Sequence, residues 1–252
     1  MRKGIFEKNR FFLKDTIRKQ VNFGETDQNL GKSPPPAQKP YKKDQKIIDL
    51  PKVEESFEGH DISLVEAIVS RKSIREYSDG PLTIRELSFL LLSTQGVRQI
   101  LSPAATLRTV PSAGARHALE TYLFIRKVEN LDEAIYRYLP LSHQLVMEFE
   151  EDNLADKISE CTLGQRFVGH CAVTFIWTTI PYRMEWRYHM AAHKVIAMDA
   201  GHVCQNLYLC CEAINAGTCA IGAYDQEGID KLLRLDGEEE FVIYIAPVGR
   251  KI

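Results

Sequence analysis

Several features are absent from this sequence of 252 residues. No apolar run approaches the roughly 20 residues that cross a bilayer, and Met1–Phe6 leads into no apolar core of a secretion signal. Neither sign of charge dominates, because 32 lysines and arginines stand against 34 aspartates and glutamates. The sequence therefore gives no reason to expect a membrane or a nucleic acid as partner, and we expect a cytoplasmic protein.

Metal and dinucleotide motifs are also lacking. No two of the six cysteines have the C-x-x-C spacing of a metal knuckle, and no G-x-G-x-x-G loop is present to bind a pyrophosphate. Cys204, Cys210 and Cys211 fall in an apolar helical pattern, which favours small buried hydrophobes in a reducing compartment over redox-active thiols. We therefore predict no metal site.

The composition of the chain changes near residue 60. Residues 1–20 carry seven basic and two acidic side chains, and residues 22–52 are rich in Gly, Pro, Gln and Lys without helical or strand periodicity. We predict a basic, Pro-rich extended arm over residues 1–58, which wraps the body of the protein or a partner chain, and one folded domain over residues 59–252. A tether to nucleic acid or membrane is the alternative role for the arm.

Helix and strand signals alternate in the folded part. Ser63 and Glu66 form a capping box that starts one helix, and Thr83 with Glu86 starts a second helix that Gly96 ends. The other predicted elements are a central strand over residues 171–178, strands near 121–125, 136–140, 218–223 and 241–246, and helices near 191–215 and 226–235. This order predicts an α+β fold with a mixed central β-sheet flanked by helices.

Two arginines and a serine occupy alternate positions after the first helix. In an extended segment, Arg71, Ser73 and Arg75 project to one side, where guanidinium donors and a hydroxyl suit a phosphate or another anion. A solvated, charged helix end is the alternative interpretation. The string by itself indicates an anion site without saying which anion.

The string from Arg71 to Tyr77 resembles the opening signature of the nitroreductase superfamily, in which Arg-x-Ser-x-Arg-x-Tyr follows the first core helix. Further motifs follow in the family's order and are similar to its branch of SagB-type dehydrogenases, at residues 111–117 with Glu120, 199–203 with 205–207, 220–223 and 247–250. The resemblance covers roughly residues 60–252. It implies a nitroreductase-like fold and an intertwined homodimer with FMN at the subunit interface.

The resemblance also implies roles for the basic residues. Arg71 and Ser73 would contact the phosphate and ribityl chain of FMN, and Arg250 would close on the phosphate. Arg75 would lie near the N1–C2=O edge of the flavin, where reduction places negative charge, and is the expected catalytic cation. A further phosphate contact or a surface position is the alternative for Arg75.

Small residues are implied at two other edges of the flavin. Ile221 and Gly222 would present backbone N–H groups to the O4/N5 edge, although Gly222 could instead serve a turn. The partner subunit would contribute a segment without bulky side chains, namely Pro111, Ser112, Ala113, Gly114 and Ala115. In this arrangement a dimer is needed to complete each site.

A polar stripe on the long helix could be mistaken for a metal site. Asp199, His202 and Asn206 stand at i, i+3 and i+7, so they share one helix face. Members of the superfamily use no metal, and polar groups on a buried helix usually bond to backbone or interface partners. We therefore predict structural hydrogen bonds for this stripe.

The sequence departs from the family pattern before the long helix. Members that oxidise azoline rings in ribosomal peptides carry a Lys-Tyr pair there, whereas this chain has Arg187 and Tyr188. An arginine stays protonated near neutral pH and is a poor base, so azoline oxidation is in doubt. Tyr188 can still exchange a proton with a substrate, and a structural role for it is the alternative.

The resemblance implies an FMN-dependent oxidoreductase. In the leading hypothesis, NAD(P)H reduces the flavin and a small organic acceptor, such as a nitroaromatic, a quinone or an enone, reoxidises it in a ping-pong cycle. One alternative is a flavin-dependent dehydrogenase of a peptide-derived or other small heterocycle. The other is a flavin-binding subunit without turnover.

Overall fold

The computed structural model describes residues 2–53, 59 and 61–252. The end of the predicted arm, at residue 58, lies outside the described residues. The α-helices with described bounds are α1 (Arg2–Leu13), α2 (Leu64–Ser70), α3 (Ile84–Gln95), α4 (Leu154–Cys161), α5 (Arg166–Gly169), α6 (Tyr182–Tyr188), α7 (Ala192–Ala213) and α8 (Gln226–Leu232). None of these helices is long and apolar enough to cross a bilayer.

Nine strands are described, and seven of them form one sheet. They are β1 (Ile47–Asp49), β2 (Val97–Ser102), β3 (Ala105–Arg108), β4 (Leu119–Ile125), β5 (Ala134–Leu139), β6 (Gln144–Phe149), β7 (Val173–Thr179), β8 (Ala216–Thr218) and β9 (Phe241–Arg250). The order across the sheet is β1-β6-β5-β4-β7-β9-β8, and neighbouring strands run antiparallel. Strands β2 and β3 form a separate hairpin.

Helices cover both faces of the sheet, as the alternation along β4 requires. Leu123 and Ile125 pack in a cluster with residues of α3 and α7, whereas Tyr122 and Phe124 pack with residues of α4, α5 and α8. The predicted α+β class, with a central sheet flanked by helices, is confirmed. Parallel pairing, which a mixed sheet implies, is found at two isolated bridges, Ser73–Thr218 and Leu82–Val128, while the strands themselves pair antiparallel.

The strongest local signals match the structure. Both capping boxes are formed, at Ser63 with Glu66 and at Thr83 with Glu86, and Gly96 caps the end of α3. The predicted central strand is β7, buried along its whole length, and the predicted long helix is α7. The predicted strand over residues 218–223 is shorter in the structure, because β8 ends at Thr218 and the chain then makes a single bridge from Ile221 to Ile245.

The cysteines pack as the sequence indicates. All six are free thiols, with Cys204 and Cys211 buried and Cys210 half-buried. Burial raises the pKa of Cys204 to about 12, so the reactive thiolate is scarce near neutral pH. These side chains serve as small hydrophobes.

The amino-terminal segment is not extended throughout, because it begins with helix α1. Its later part lies on the body of the protein. Strand β1 pairs with the sheet edge at β6, Ala37 is buried and its carbonyl accepts a hydrogen bond of 2.8 Å from Arg108, and the backbone N–H of Lys39 donates to Glu120 at 2.8 Å. These contacts make residues 37–49 part of the packed structure.

Two glycines let the string Arg71–Tyr77 lie against the sheet. A Cβ added to Gly217 would stand 2.6 Å from Ile74, and one added to Gly249 would stand 2.6 Å from the ring of Tyr77. The Tyr77 hydroxyl donates to the Ile74 carbonyl at 2.8 Å. The strand residues must therefore be small for the string to reach its place.

We expect Gly249→Ala to destabilise the protein by about 1–3 kcal/mol, because the new methyl group overlaps the Tyr77 ring in a packed region. Gly4→Ala in α1 is the matched control, since a Cβ there meets no atom within 4 Å, and we expect a change below about 1 kcal/mol. Urea unfolding measures both. Equal midpoints for the two variants would contradict the steric argument.

Candidate active site

The string Arg71–Tyr77 runs from the end of α2 to the edge of the sheet. Arg71 is the C-cap residue of α2, and Ile74 donates its N–H to the Thr218 carbonyl at 3.0 Å. Ser73 forms a parallel bridge with the same threonine. These bonds hold the string extended, so that Ser73 and Arg75 are exposed side by side on one surface.

That surface contains a pocket of about 420 Å³, which is within the range of about 300–1,000 Å³ for ligand sites. Within the described residues, the side chain of Arg75 forms no hydrogen bond or ion pair. The guanidinium of Arg71 lies 5.1 Å from the ring centre of Tyr208 and has no acidic partner there either. The pocket is lined by Lys72, Ser73, Ile74, Arg75, Glu76, Lys251 and Ile252.

Tyr208 organises this end of the site, although sequence reasoning did not single it out. Its hydroxyl is 2.9 Å from the Ser73 hydroxyl and accepts the Ala220 N–H at 2.8 Å, while its ring lies under Arg71. The only available signal was a tyrosine on the buried face of α7, whose hydroxyl had to find a partner. Tyr208 thereby joins the Arg71–Tyr77 string to the loop after β8.

Arg250 has partners within the chain. Its guanidinium donates to the Pro81 carbonyl at 3.0 Å, the Ile214 carbonyl at 2.8 Å and the Glu86 carboxylate at 2.5 Å. Its expected phosphate contact stays a prediction. The neighbouring Lys251 lines the pocket and donates to Glu212 at 2.6 Å, so it is a cation that the motif did not point to.

The loop after β8 is held to the sheet by a backbone hydrogen bond. The Ile221 N–H donates to the Ile245 carbonyl of β9 at 2.8 Å. Its expected role as a donor to a flavin stays a prediction. Gly222 is exposed, and a Cβ placed on it would meet no atom within 4 Å.

The segment Pro111–Ala115 packs on the amino-terminal half of α7. Burial raises the pKa of the Asp199 carboxyl, while the nearby Ser112 side chain and Ala113 N–H act in the opposite direction and more weakly. Asn206 donates to the Ser93 carbonyl at 2.8 Å. The predicted structural hydrogen bond is confirmed for Asn206, whereas Asp199 Oδ2 is buried without a hydrogen-bond partner among the described residues. No metal-binding group of three His, Cys, Asp or Glu is found in the described part of the chain.

Gly114 brings this segment against Tyr188 of the same chain. A Cβ on Gly114 would stand 2.6 Å from the Tyr188 hydroxyl oxygen and 2.9 Å from Arg187 Nε. Gly114, Ala115 and His117 all have positive φ, at 61°, 54° and 46°. Positive φ is costly for residues other than glycine and persists where the surrounding structure enforces it, which is common at functional sites.

The two halves of the site lie at different ends of α7 within one chain. Tyr208 contacts the Arg71–Tyr77 string, and Asp199 contacts Pro111–Ala115. Nine residues separate them, which is about 14 Å along a helix axis.

His117 gives this region a dependence on pH. Only 6% of it is exposed, and burial, with a smaller effect from the positive charge of Arg108, lowers its pKa to about 3. The folded protein therefore keeps His117 neutral while the unfolded chain takes up a proton near pH 6.5. Because the folded pKa is depressed, stability falls as the pH drops below about 6.5.

We expect His117→Asn to flatten this dependence, since asparagine tolerates positive φ but does not titrate. In the parent, His117 should contribute a loss of about 2 kcal/mol in the free energy of unfolding between pH 6.5 and pH 5. Chemical denaturation at each pH measures the difference, and the same replacement of the exposed His202 is the control. Parallel pH profiles for parent and His117→Asn would contradict the assignment.

Comparisons with known proteins agree on one family. The model of the nitroreductase family matches residues 68–250. A protein of Methanocaldococcus jannaschii assigned as a nitroreductase is 33% identical over 205 residues, which are 81% of this chain and 96% of that protein.

Solved structures share the fold. The crystal structure of a nitroreductase from Ralstonia eutropha has a TM-score of 0.67 and 25% identity, covering 87% of this chain and 95% of that one. The NADPH:FMN oxidoreductase of Vibrio harveyi, complexed with NAD⁺, has a TM-score of 0.52 and 15% identity, covering 74% of this chain and 68% of that one. The second likeness concerns the fold alone.

Proposed function

The chain belongs to the nitroreductase family and is an oxidoreductase, and on that premise we propose that it binds FMN and passes electrons from NAD(P)H to a small organic acceptor of the nitroaromatic, quinone or enone type. The observation that carries the proposal is the pocket lined by Ser73 and Arg75, together with the neighbouring Arg71, because neither arginine has an acidic partner among the described residues. The fold shared with an NADPH:FMN oxidoreductase supports the same cofactors.

The residues of the pocket fit a phosphate group. Arg75 supplies a guanidinium group, Ser73 supplies a hydroxyl, and Lys251 also lines the pocket. The guanidinium of Arg71 lies over the ring of Tyr208, whose hydroxyl is bonded to Ser73. A phosphate dianion would balance the charges of Arg71 and Arg75, which have no acidic partner among the described residues. When bound, FMN supplies a ring system that accepts and releases a hydride, and the protein's part is to hold and polarise it.

We propose that a second copy of the chain completes the site. In a dimer, Pro111–Ala115 of one subunit would approach the Arg71–Arg75 region of the other. Exposed apolar side chains support an interface here, because contiguous apolar patches usually mark contacts between proteins. More than half of the surface is exposed at Leu64, Val65, Ile68 and Val69 of α2 and at Met198 of α7.

Tyr188 is the proposed proton donor to the acceptor. Its hydroxyl makes no hydrogen bond to any described residue and lies next to Gly114, where only a hydrogen atom occupies the side-chain position. Because we assign Pro111–Ala115 to the flavin, the proposal puts Tyr188 beside the electron source. A neutral phenol can donate a proton as the acceptor gains charge.

The cofactor test uses the full-length protein as purified. We expect a yellow protein from which heat releases FMN and not FAD, because the pocket offers a phosphate site and the sequence has no pyrophosphate loop. Anaerobic addition of NADH or NADPH should bleach the flavin, and light scattering should give twice the chain mass. FAD, a flavin-loaded monomer, or a flavin that neither nucleotide reduces would contradict the corresponding part of the proposal.

We expect Arg75→Gln to lower the two-electron reduction potential of the bound flavin by roughly 20–60 mV, equivalent to about 1–3 kcal/mol. The reason is that a cation near the N1–C2=O edge stabilises the charge that reduction adds. Arg71→Gln is the control, since loss of a phosphate contact should weaken flavin binding in both redox states. An unchanged reduction potential in Arg75→Gln would mean that Arg75 only helps to hold the flavin in place.

A further inference from the structure

Arg116 lies near Tyr188 and two further arginines, Arg183 and Arg187, and among the described residues only Arg183 has a carboxylate partner. Arg183 donates to the Glu120 carboxylate at 2.5 Å. Arg116 and Arg187 have no carboxylate partner among the described residues. Two positive charges therefore lie beside the candidate proton donor without a counterion from the described part of this chain.

Arg116 is the more constrained of the two. Only 5% of it is exposed, its guanidinium lies 4.7 Å from the ring centre of Trp186, and its Nε donates to the Arg183 carbonyl at 3.0 Å. Its Nη2 atom is buried and has no hydrogen-bond partner among the described residues. An unsatisfied buried donor of this kind is uncommon and indicates a missing acceptor.

Repulsion between like charges also destabilises the charged form of Arg116. Burial lowers the pKa of Arg116, and the charges of Arg187 and Arg183 lower it further. Among the described residues, no carboxylate pairs with Arg116 or Arg187 to offset the repulsion between them. An anion bound between them would offset it and would also supply the missing acceptor.

Arg187 lies on the open side of the pair. It is half-buried, with its guanidinium 5.6 Å from the ring centre of Tyr188. The absence of a side chain at Gly114 leaves Arg187 in place, since a Cβ there would stand 2.9 Å from its Nε. Both guanidinium groups thus lie on aromatic rings and keep N–H donors that can bind a further acceptor.

We propose that Arg116 and Arg187 form a carboxylate-binding subsite beside Tyr188, and that the electron acceptor carries a carboxylate. The planar fork of a guanidinium matches a carboxylate, and one carboxylate can accept from both residues. The departure from the azoline-oxidase pattern fits this role, because an arginine that stays protonated suits anion binding better than base chemistry. The assignment to the acceptor rests on the function proposed above, whereas the anion site can be tested separately.

The test is calorimetric titration of the full-length protein with benzoate and with benzamide, its neutral counterpart, in flavin-loaded and flavin-free samples at constant ionic strength. We expect saturable binding of benzoate and much weaker binding of benzamide. Tryptophan fluorescence should change on benzoate binding, because Trp186 lies under Arg116.

Arg187→Gln should weaken benzoate binding by about 10- to 100-fold, the loss typical of a hydrogen bond to a charged group. Arg187→Lys keeps the positive charge but lacks the forked guanidinium, so we expect a smaller loss of benzoate affinity. If Arg187→Gln does not fold, Arg187→Lys takes its place in the test. Arg234→Gln is the matched control, since Arg234 also stacks on a ring, at 3.8 Å from Phe149, and should leave benzoate binding unchanged.

Equal affinities for benzoate and benzamide, or a benzoate affinity that survives both Arg187 substitutions, would overturn the subsite. Benzoate binding that depends on Arg187 in a protein that takes up no flavin would overturn the proposed function and the acceptor assignment, while the carboxylate site itself would stand. Benzoate binding that depends on Arg187 in the flavin-loaded protein supports both.

Discussion

Glu120 has 3% of its surface exposed and lies in the middle of the sheet, and three separate parts of the chain reach its carboxylate. Arg183 of α6 and Arg137 of β5 approach it at 2.5 Å and 3.5 Å, and the Lys39 N–H donates to it from the arm. Burial alone would raise the pKa of Glu120, but the two guanidinium charges outweigh burial and lower it. The carboxylate is therefore ionised in the folded protein, and loss of one partner would leave a buried charge at a cost of about 3–5 kcal/mol.

The position of the candidate proton donor depends on this charge cluster. Arg183 lies on the same short helix as Arg187 and Tyr188, so its bond to Glu120 ties α6 to β4. At the other end of the cluster, Arg137 also donates to the carbonyls of Lys39 and Pro40. The arm thus closes over the buried charges that hold α6.

Sequence reasoning succeeded where a local signal decides the structure. The capping boxes at Ser63 and Thr83, and the apolar run of β7, carry their structural cause within a few residues. The hairpin β2–β3 was missed because β2 is mostly exposed and has no apolar alternation, and β1 was missed because it is three residues long and exists through its pairing with β6.

The sequence motifs predicted which residues belong to the candidate site, but not the hydrogen bonds that join them. Ser73 and Arg75 line one pocket, as their alternation suggested, while the guanidinium of Arg71 lies over the ring of Tyr208. The bond from Arg250 to Glu86 and the bridge from Tyr208 to Ser73 join residues far apart in the chain, and no local pattern encodes them. The same holds for the pairing of the Ile221 amide with β9, which only the register of the sheet determines.

The strained backbone around Tyr188 explains why residues outside 68–250, the range that the family model matches, affect the geometry of the site. Gly114, Ala115 and His117 have positive φ on one side of Tyr188, and His189, with φ 49° and ψ −137°, follows it directly. Such conformations persist only when packing and hydrogen bonds enforce them. One of those restraints is the Glu120 cluster, which includes Lys39 and so reaches beyond residues 68–250 into the arm. The geometry of the candidate site is therefore a property of the folded body and the docked arm together, even though the arm contributes no side chain to the pocket beside Ser73.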